Sequence, residues 1–184
     1  MNLWIRMLGT LITSPRRKAI RPLDDARLDM MVWPNDLDVN GHVNNGRYFT
    51  MADIARFDMA RRTGILAIAR KHKAMPVIGD SMARFRRDLK LFDRFEIHSK
   101  VLGWDERWIY MQHRFMQKGR VCVLVVVRAG FKAQSGLLGP FDLAEALGVD
   151  KRSPTLPTWV IGWSRHCDAA SKALREEEEK FGLR

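Results

Sequence analysis

The stretch from Trp33 to Tyr48 reads W-P-N-D-L-D-V-N-G-H-V-N-N-G-R-Y and concentrates residues able to do chemistry. Asp36, Asp38, Asn40 and His42 fall on alternate positions of a polar, Gly-containing loop, and the pattern turns helical just after Asn44 and Asn45. The first amides of a helix lack intrahelical acceptors and carry a partial positive charge, so they can hold an oxyanion or polarise a carbonyl. A carboxylate beside such an end can attack that carbonyl or activate water. The combination suits acyl transfer or hydrolysis. The same residues also suit an ordinary turn: Asn, Asp and Gly are turn formers, Asn44 and Asn45 are good caps, and a lone loop His is often structural. Metal binding is the weaker reading, because His72, His98, His113 and His166 form no ligand-spaced pair with Asp36, Asp38 or His42. No cofactor is expected.

Three kinds of element must position this loop. Residues 27–33 read as a strand stopped by Pro34. Tyr48, Met51, Ala52, Ala55 and Met59 share a helical face, which Phe49, Ile54, Phe57 and Ala60 widen, so this helix is enclosed by other elements. It begins at Asn44 or Asn45 and ends near Gly64, with a shorter helix over 65–71. Strands are expected over 77–90, 94–103, 107–117 and 120–133, and their short connections make them antiparallel neighbours. Val121 to Val127 reads as a strand buried on both faces. The fold class is therefore α+β, one curved antiparallel sheet wrapped on one long central helix. A turn and a short helix are expected over 136–148, and a C-terminal helix with a face of Trp159, Trp163, Cys167, Ala170 and Leu174. Three regions follow: a basic segment 1–22, a domain 23–136 and a helical extension 137–184.

The chain has 184 residues, 46% of them hydrophobic, which suits one domain with a real core. Its two cysteines exclude a disulfide framework. The net charge of +11 lies in two blocks, residues 1–22 at +5 and residues 61–100 at +7. The run Arg84-Phe85-Arg86-Arg87 has one aromatic and no docking module around it, so nucleic acid is not expected. An exposed strand face and a rim for an anionic small molecule are the two readings of that block. Within residues 1–22, Leu3, Trp4, Met7, Leu8, Leu11 and Ile12 fall at helical spacing and Arg16-Arg17-Lys18 follow. The charge comes after the apolar part, the reverse of a secretory signal. The segment reads as a short helix packed on the domain or on a partner, or as an interfacial membrane anchor; it is expected to be dispensable to the fold.

The string D-L-D-V-N-G-H-V-N-N-x-R-Y resembles the motif of hot-dog-fold acyl thioesterases, and plant acyl-carrier-protein thioesterases carry a very similar D-x-D-x-N-x-H-V-N-N. Residues 84–91, 95–97 and 102–107 resemble the thioesterase superfamily member 6-like group in the same order and spacing. The resemblance covers about residues 27–133. It implies a hot-dog fold, hydrolysis of an acyl-CoA or acyl-carrier-protein thioester, and a homodimer or tetramer with sheets joined edge to edge and the site at the junction. It implies that Asp38 is nucleophile or general base, that the Asn45 backbone N–H polarises the thioester carbonyl, and that Asn40 and His42 orient the carboxylate. Tyr48 is expected at the substrate, and Arg84, Arg86 and Arg87 at the nucleotide phosphates. The plant enzymes carry a further Glu about where Met75 or Pro76 falls, and this sequence has no carboxylate there until Asp80. A non-catalytic acyl-binding or membrane-associated protein on the same fold is the alternative, and enoyl-thioester hydration a third. The expected location is cytoplasmic, with membrane contact through residues 1–22 as the variant.

Overall fold

The computed structural model describes residues 2–14, 17–134 and 136–182. In chain order the elements are α1 (Asn2–Thr13), β1 (Ala26–Met31), a single 3-10 turn (Pro34–Asp36), α2 (Asn45–Arg62), α3 (Ile65–Lys71), β2 (Met75–Phe85), β3 (Arg94–Trp104), β4 (Ile109–Gln117), β5 (Arg120–Ala133), β6 (Gly136–Leu138), α4 (Pro140–Ala146) and α5 (Thr158–Lys180). The strands form one antiparallel sheet in the order β1-β3-β4-β5-β2, with the short β6 on β5. This is the expected α+β plan of a sheet on a central helix.

The sequence dictates the central layer locally. The Asn44 side chain caps α2 by accepting from the Gly46 N–H at 2.9 Å, which satisfies one of the amides a helix start leaves open. Met51, Ile54, Ala55 and Met59 are buried, and the core they join includes Leu28, Ile97, Phe115, Val123 and Val125 from the sheet. Cys122, Val123, Val125, Val126 and Val127 on β5 are all buried, because the other face of the sheet is covered too: Val160 of α5 packs with Trp108 and Tyr110.

Several boundaries differ from the periodicity. β2 ends at Phe85, since the N–H groups of Arg86 and Arg87 both turn to the Cys122 carbonyl and lead the chain away from the sheet. β4 starts at Ile109 because the Asp105 carboxylate accepts from the amides of Arg107 and Trp108 and holds residues 105–108 in a turn. In α5 the inward side is Val160, Ser164 and Cys167, while Trp159 and Leu174 are exposed. Ser164 and Asp168 are both hydrogen-bonded by the buried Arg128 guanidinium, which rotates the helix away from its most apolar face.

The N-terminal helix turns its apolar side outward. Trp4, Ile5, Leu8 and Ile12 are exposed, whereas Thr10 and Ser14 are buried and Met7 packs on the core. Arg6 reaches the buried Asp36 at 2.6 Å, and Arg17 reaches the buried Asp58 of α2 at 3.8 Å. These ties attach the segment more firmly than an expendable one would be.

Candidate active site

The loop between the 3-10 turn and α2 is a small hairpin. Leu37 bridges Val43, the Asp38 N–H donates to the His42 carbonyl at 3.0 Å, and the Gly41 N–H donates to the Asp38 carbonyl at 3.1 Å. Gly41 takes φ +74, a left-handed conformation in which a Cβ is strained. The loop is then stitched to the segment after β2: the Val43 N–H donates to the Leu89 carbonyl at 2.9 Å, and His42 bridges Lys90. The Asn44 N–H donates to the Asp36 carbonyl at 2.8 Å, which sets the entry angle of α2.

Within this frame the two aspartates separate. Asp36 is fully buried. Its Oδ2 accepts from Arg6 at 2.6 Å and from the Trp33 N–H at 2.8 Å, and its Oδ1 accepts from Arg47 Nη2 at 2.9 Å. Both oxygens are committed, so Asp36 is a structural anchor. Asp38 keeps 19% of its side chain exposed, with Oδ2 3.5 Å from His42 Nδ1 and Oδ1 accepting from the Asn40 N–H at 2.9 Å. Asn40 enters this set through its backbone, and its own side chain is exposed. Asn45 is exposed at the first position of α2, where its amide has no intrahelical acceptor. Asp38, Asn40, His42 and Asn45 thus share one short segment at the positive end of α2.

The other expected residues divide. Tyr48 is 2% exposed, wedged edge-on against Phe85 and Phe115 at 5.7 and 5.0 Å. Burial pushes its phenol up, against a hydrogen bond from the Leu89 backbone. In this chain it is a strut beneath the site loop, and a side chain so enclosed offers no surface to a substrate. Arg84, Arg86 and Arg87 are exposed, although Arg87 also donates to the Val121 carbonyl at 3.1 Å. Arg86 is three residues from Leu89, so at most about 11 Å of chain separates it from the segment pinned to the site loop. Asp80, the carboxylate nearest the place of the plant Glu, is ion-paired with Arg128 and so belongs to the α5 contact.

Sequence reasoning missed two features. One is the anchoring of Asp36 by Arg6 and Arg47; its only local signal is Arg47 in the first turn after the motif. The other is a polar line under α2. His113 is fully buried, with Nδ1 2.8 Å from Ser99 Oγ and Nε2 3.2 Å from Arg56 Nη1. A guanidinium only donates, so Nε2 accepts and the ring is neutral with its proton on Nδ1. Burial, then the Arg56 charge, holds the His113 pKa well below the ordinary value. Arg56 is also paired with Asp53. Among the described residues no three His, Cys, Asp or Glu side chains are grouped to hold a metal ion.

This arrangement offers an amide donor and a partly open carboxylate with an imidazole beside it, a set of groups that can support attack on an acyl carbonyl. A family model described as the Thioesterase-like superfamily matches residues 32–163, a span that contains the whole loop and most of the sheet. The chain belongs to the thioesterase-like superfamily. That membership assigns the class of reaction, thioester hydrolysis. Among thioesterase-like relatives, Protein THEM6 of Drosophila melanogaster is 35% identical, covering 97% of this chain and 92% of its own. Protein THEM6 of Xenopus laevis is 29% identical, with 96% and 86% covered. The solved structure of YbaW from Escherichia coli, named a probable thioesterase, superposes with a TM-score of 0.63 at 21% identity, covering 66% of this chain and 96% of that one. A gentisyl-coenzyme A thioesterase superposes with a TM-score of 0.56 at 16% identity, covering 66% and 97%. These superpositions share the hot-dog fold.

Proposed function

We propose that the protein is an acyl-CoA thioesterase, releasing a free acid and the CoA thiol. The observation that carries this reading is the position of Asp38: partly open beside His42, in the loop that leads into the Asn45 amide at the start of α2. The thioester oxygen is held by the Asn45 N–H, where the helix end stabilises the negative charge that develops on it. Asp38 either takes the proton of a water that attacks the carbonyl carbon, or attacks that carbon itself to form a mixed anhydride, which a water then cleaves to release the acid and restore the carboxylate. In either course the C–S bond breaks, and the sulfur leaves as thiol once protonated. His42 and the Asn40 backbone N–H hold the carboxylate in place. The exposed Arg84, Arg86 and Arg87 support CoA as the carrier, because guanidinium forks match phosphate oxygens; an acyl carrier protein is the competing carrier. A panel of acyl-CoA and acyl-carrier-protein thioesters, with release of free thiol as readout, tests the reading on wild type and Asp38→Asn. Hydrolysis by wild type that Asp38→Asn loses supports it; no release from any thioester defeats it.

A homodimer paired along β2, or a tetramer of such dimers, fits the same picture. β2 is an 11-residue edge strand on which Met75, Ile78 and Phe85 are exposed, and long edges of this kind are normally paired or covered. Membrane-surface contact is supported by α1, whose outward face carries Trp4, Ile5, Leu8 and Ile12 next to residues 14–22, which hold four basic residues and no acid. No described helix is long and apolar enough to cross a membrane. Two unpaired thiols, Cys122 and Cys167, accord with a cytoplasmic location.

A further inference from the structure

A cavity of about 390 Å³ lies between the C-terminal half of α2, the sheet and α4. Its wall is aliphatic and aromatic, with Phe57, Met111, Phe131 and Leu143 among the lining side chains, and among the described residues only Asp53, Arg56 and Thr63 bring ionisable or hydroxyl groups to it. Asp53, Pro76 and Ile78 of this wall are exposed, so the space is an apolar pocket that opens to solvent. Small side chains keep it open: Ala60, Ala129 and Ala144 all line it where larger ones would close it.

The volume sets the class of occupant. A cavity of about 150 Å³ takes up benzene, roughly 25 Å³ per carbon, so this space has room for at most about 15 carbons of a tail. The helix sets the path. Asn45, Phe49, Asp53, Arg56 and Ala60 are spaced by three or four residues along α2 and share one face. At 1.5 Å of rise per residue, Asp53 is about 12 Å from Asn45 and Ala60 about 22 Å. A C–C bond of about 1.5 Å advances an extended chain by roughly 1.25 Å. An acyl group extended along this face with its carbonyl at the Asn45 N–H therefore comes level with Asp53 after about ten carbons and with Ala60 after about eighteen. Of the lining residues, Asp53 and Arg56 lie nearest to Asn45 along α2; they are paired with each other, and Arg56 is further held by His113. Past this pair, the wall offers an aliphatic tail contact and almost no competing polar group.

We propose that this cavity binds the tail of a long unbranched acyl group, about 12–18 carbons, and so selects the substrate of the hydrolysis proposed above, on which this assignment of substrate class rests. Two measurements test it. In the first, thiol release from hexanoyl-, decanoyl- and palmitoyl-CoA is compared between wild type and Ala60→Phe, which fills the cavity from α2. The ratio of kcat/KM for palmitoyl-CoA to that for hexanoyl-CoA should fall at least about tenfold, the equivalent of two methylenes left unburied. An unchanged ratio overturns the proposal. Leu147→Trp fills the cavity from the residue that follows α4, carries the same expectation, and serves if Ala60→Phe does not fold. In the second, brominated palmitic acid is titrated against intrinsic fluorescence. Of the six tryptophans, Trp104 lines the cavity, so quenching should be saturable in wild type and largely lost in Trp104→Phe and Ala60→Phe. No quenching in wild type, or equal quenching in Trp104→Phe, overturns the proposal. Saturable quenching at Trp104 without thiol release from any acyl-CoA supports the cavity and defeats the hydrolase reading, so the two failures are distinct.

Discussion

Asp36 and Asp38 stand two residues apart, yet Asp36 is sealed between Arg6 and Arg47 while Asp38 is partly open beside His42. The difference predicts opposite phenotypes for the same substitution. Asp38→Asn should leave the denaturation midpoint nearly unchanged and lower kcat by about 10²–10⁴, the typical worth of a general base. Asp36→Asn removes the charge that two guanidinium groups share at a site with no solvent, and should lower stability by about 3 kcal/mol. Urea unfolding and steady-state turnover of the two variants check this. A stable Asp36→Asn protein with no activity, beside a fully active Asp38→Asn protein, would exchange the roles of the two carboxylates.

The outward apolar face of α1 predicts binding to anionic vesicles. Trp4 and Leu8 are 77% and 58% exposed, so a Trp4→Ser, Leu8→Ser double variant should keep its thermal transition and lose most co-sedimentation with phosphatidylserine vesicles. Deletion of residues 1–13 should also lose binding but unfold at lower temperature, because it takes Arg6 away from Asp36. Equal sedimentation of wild type and the double variant would show that this face has another use.

The basic block predicts a KM effect. Arg84 and Arg86 are exposed and close along the chain to the segment pinned to the site loop. Replacing both with alanine should raise KM for an acyl-CoA several-fold while kcat changes little, since the phosphates lie far from the reacting carbon. Added salt should reproduce part of the rise by screening. An unaltered KM would leave these arginines as a solvated strand edge.

His113 predicts a pH dependence of stability. An unfolded histidine takes up a proton near pH 6.5, whereas the buried ring stays neutral to lower pH because burial and Arg56 oppose its charge. Between the two the unfolded state binds more protons, so stability rises with pH in that window. The contribution is fully present above about pH 6.5 and is lost as pH falls, by at most about 1.4 kcal/mol per pH unit for one proton. His113→Gln should flatten this part of the profile. Urea midpoints of both proteins at about pH 7.5 and about pH 5 provide the comparison, and identical slopes would mean that His113 does not set the profile.

Pairing along β2 predicts at least a dimeric mass in light scattering at micromolar concentration. An active monomer there would mean that the exposed Met75, Ile78 and Phe85 edge is tolerated as it stands.

Much of the fold is legible along the chain because the forces that specify it act over a few residues. Asn44 caps the helix whose apolar face it precedes, residues 65–71 form the short second helix, and the alternating and β-branched runs form β3 and β5 with boundaries close to those read from the pattern. The site loop is legible for the same reason: Asp38, Asn40, Gly41 and His42 make their contacts with one another. What only the tertiary structure decides rests on groups far apart in sequence. Asp36 differs from Asp38 because Arg6 arrives from thirty residues away. Asp80 is withdrawn from the site because Arg128, forty-eight residues on, claims it. The outward turn of α1, the burial of Tyr48 against Phe85 and Phe115 and the cavity beside Ala60 are likewise products of packing. Capping and periodicity are local and leave a mark in adjacent letters, whereas ion pairing, burial and empty volume depend on which surfaces meet once the sheet has closed on its helix.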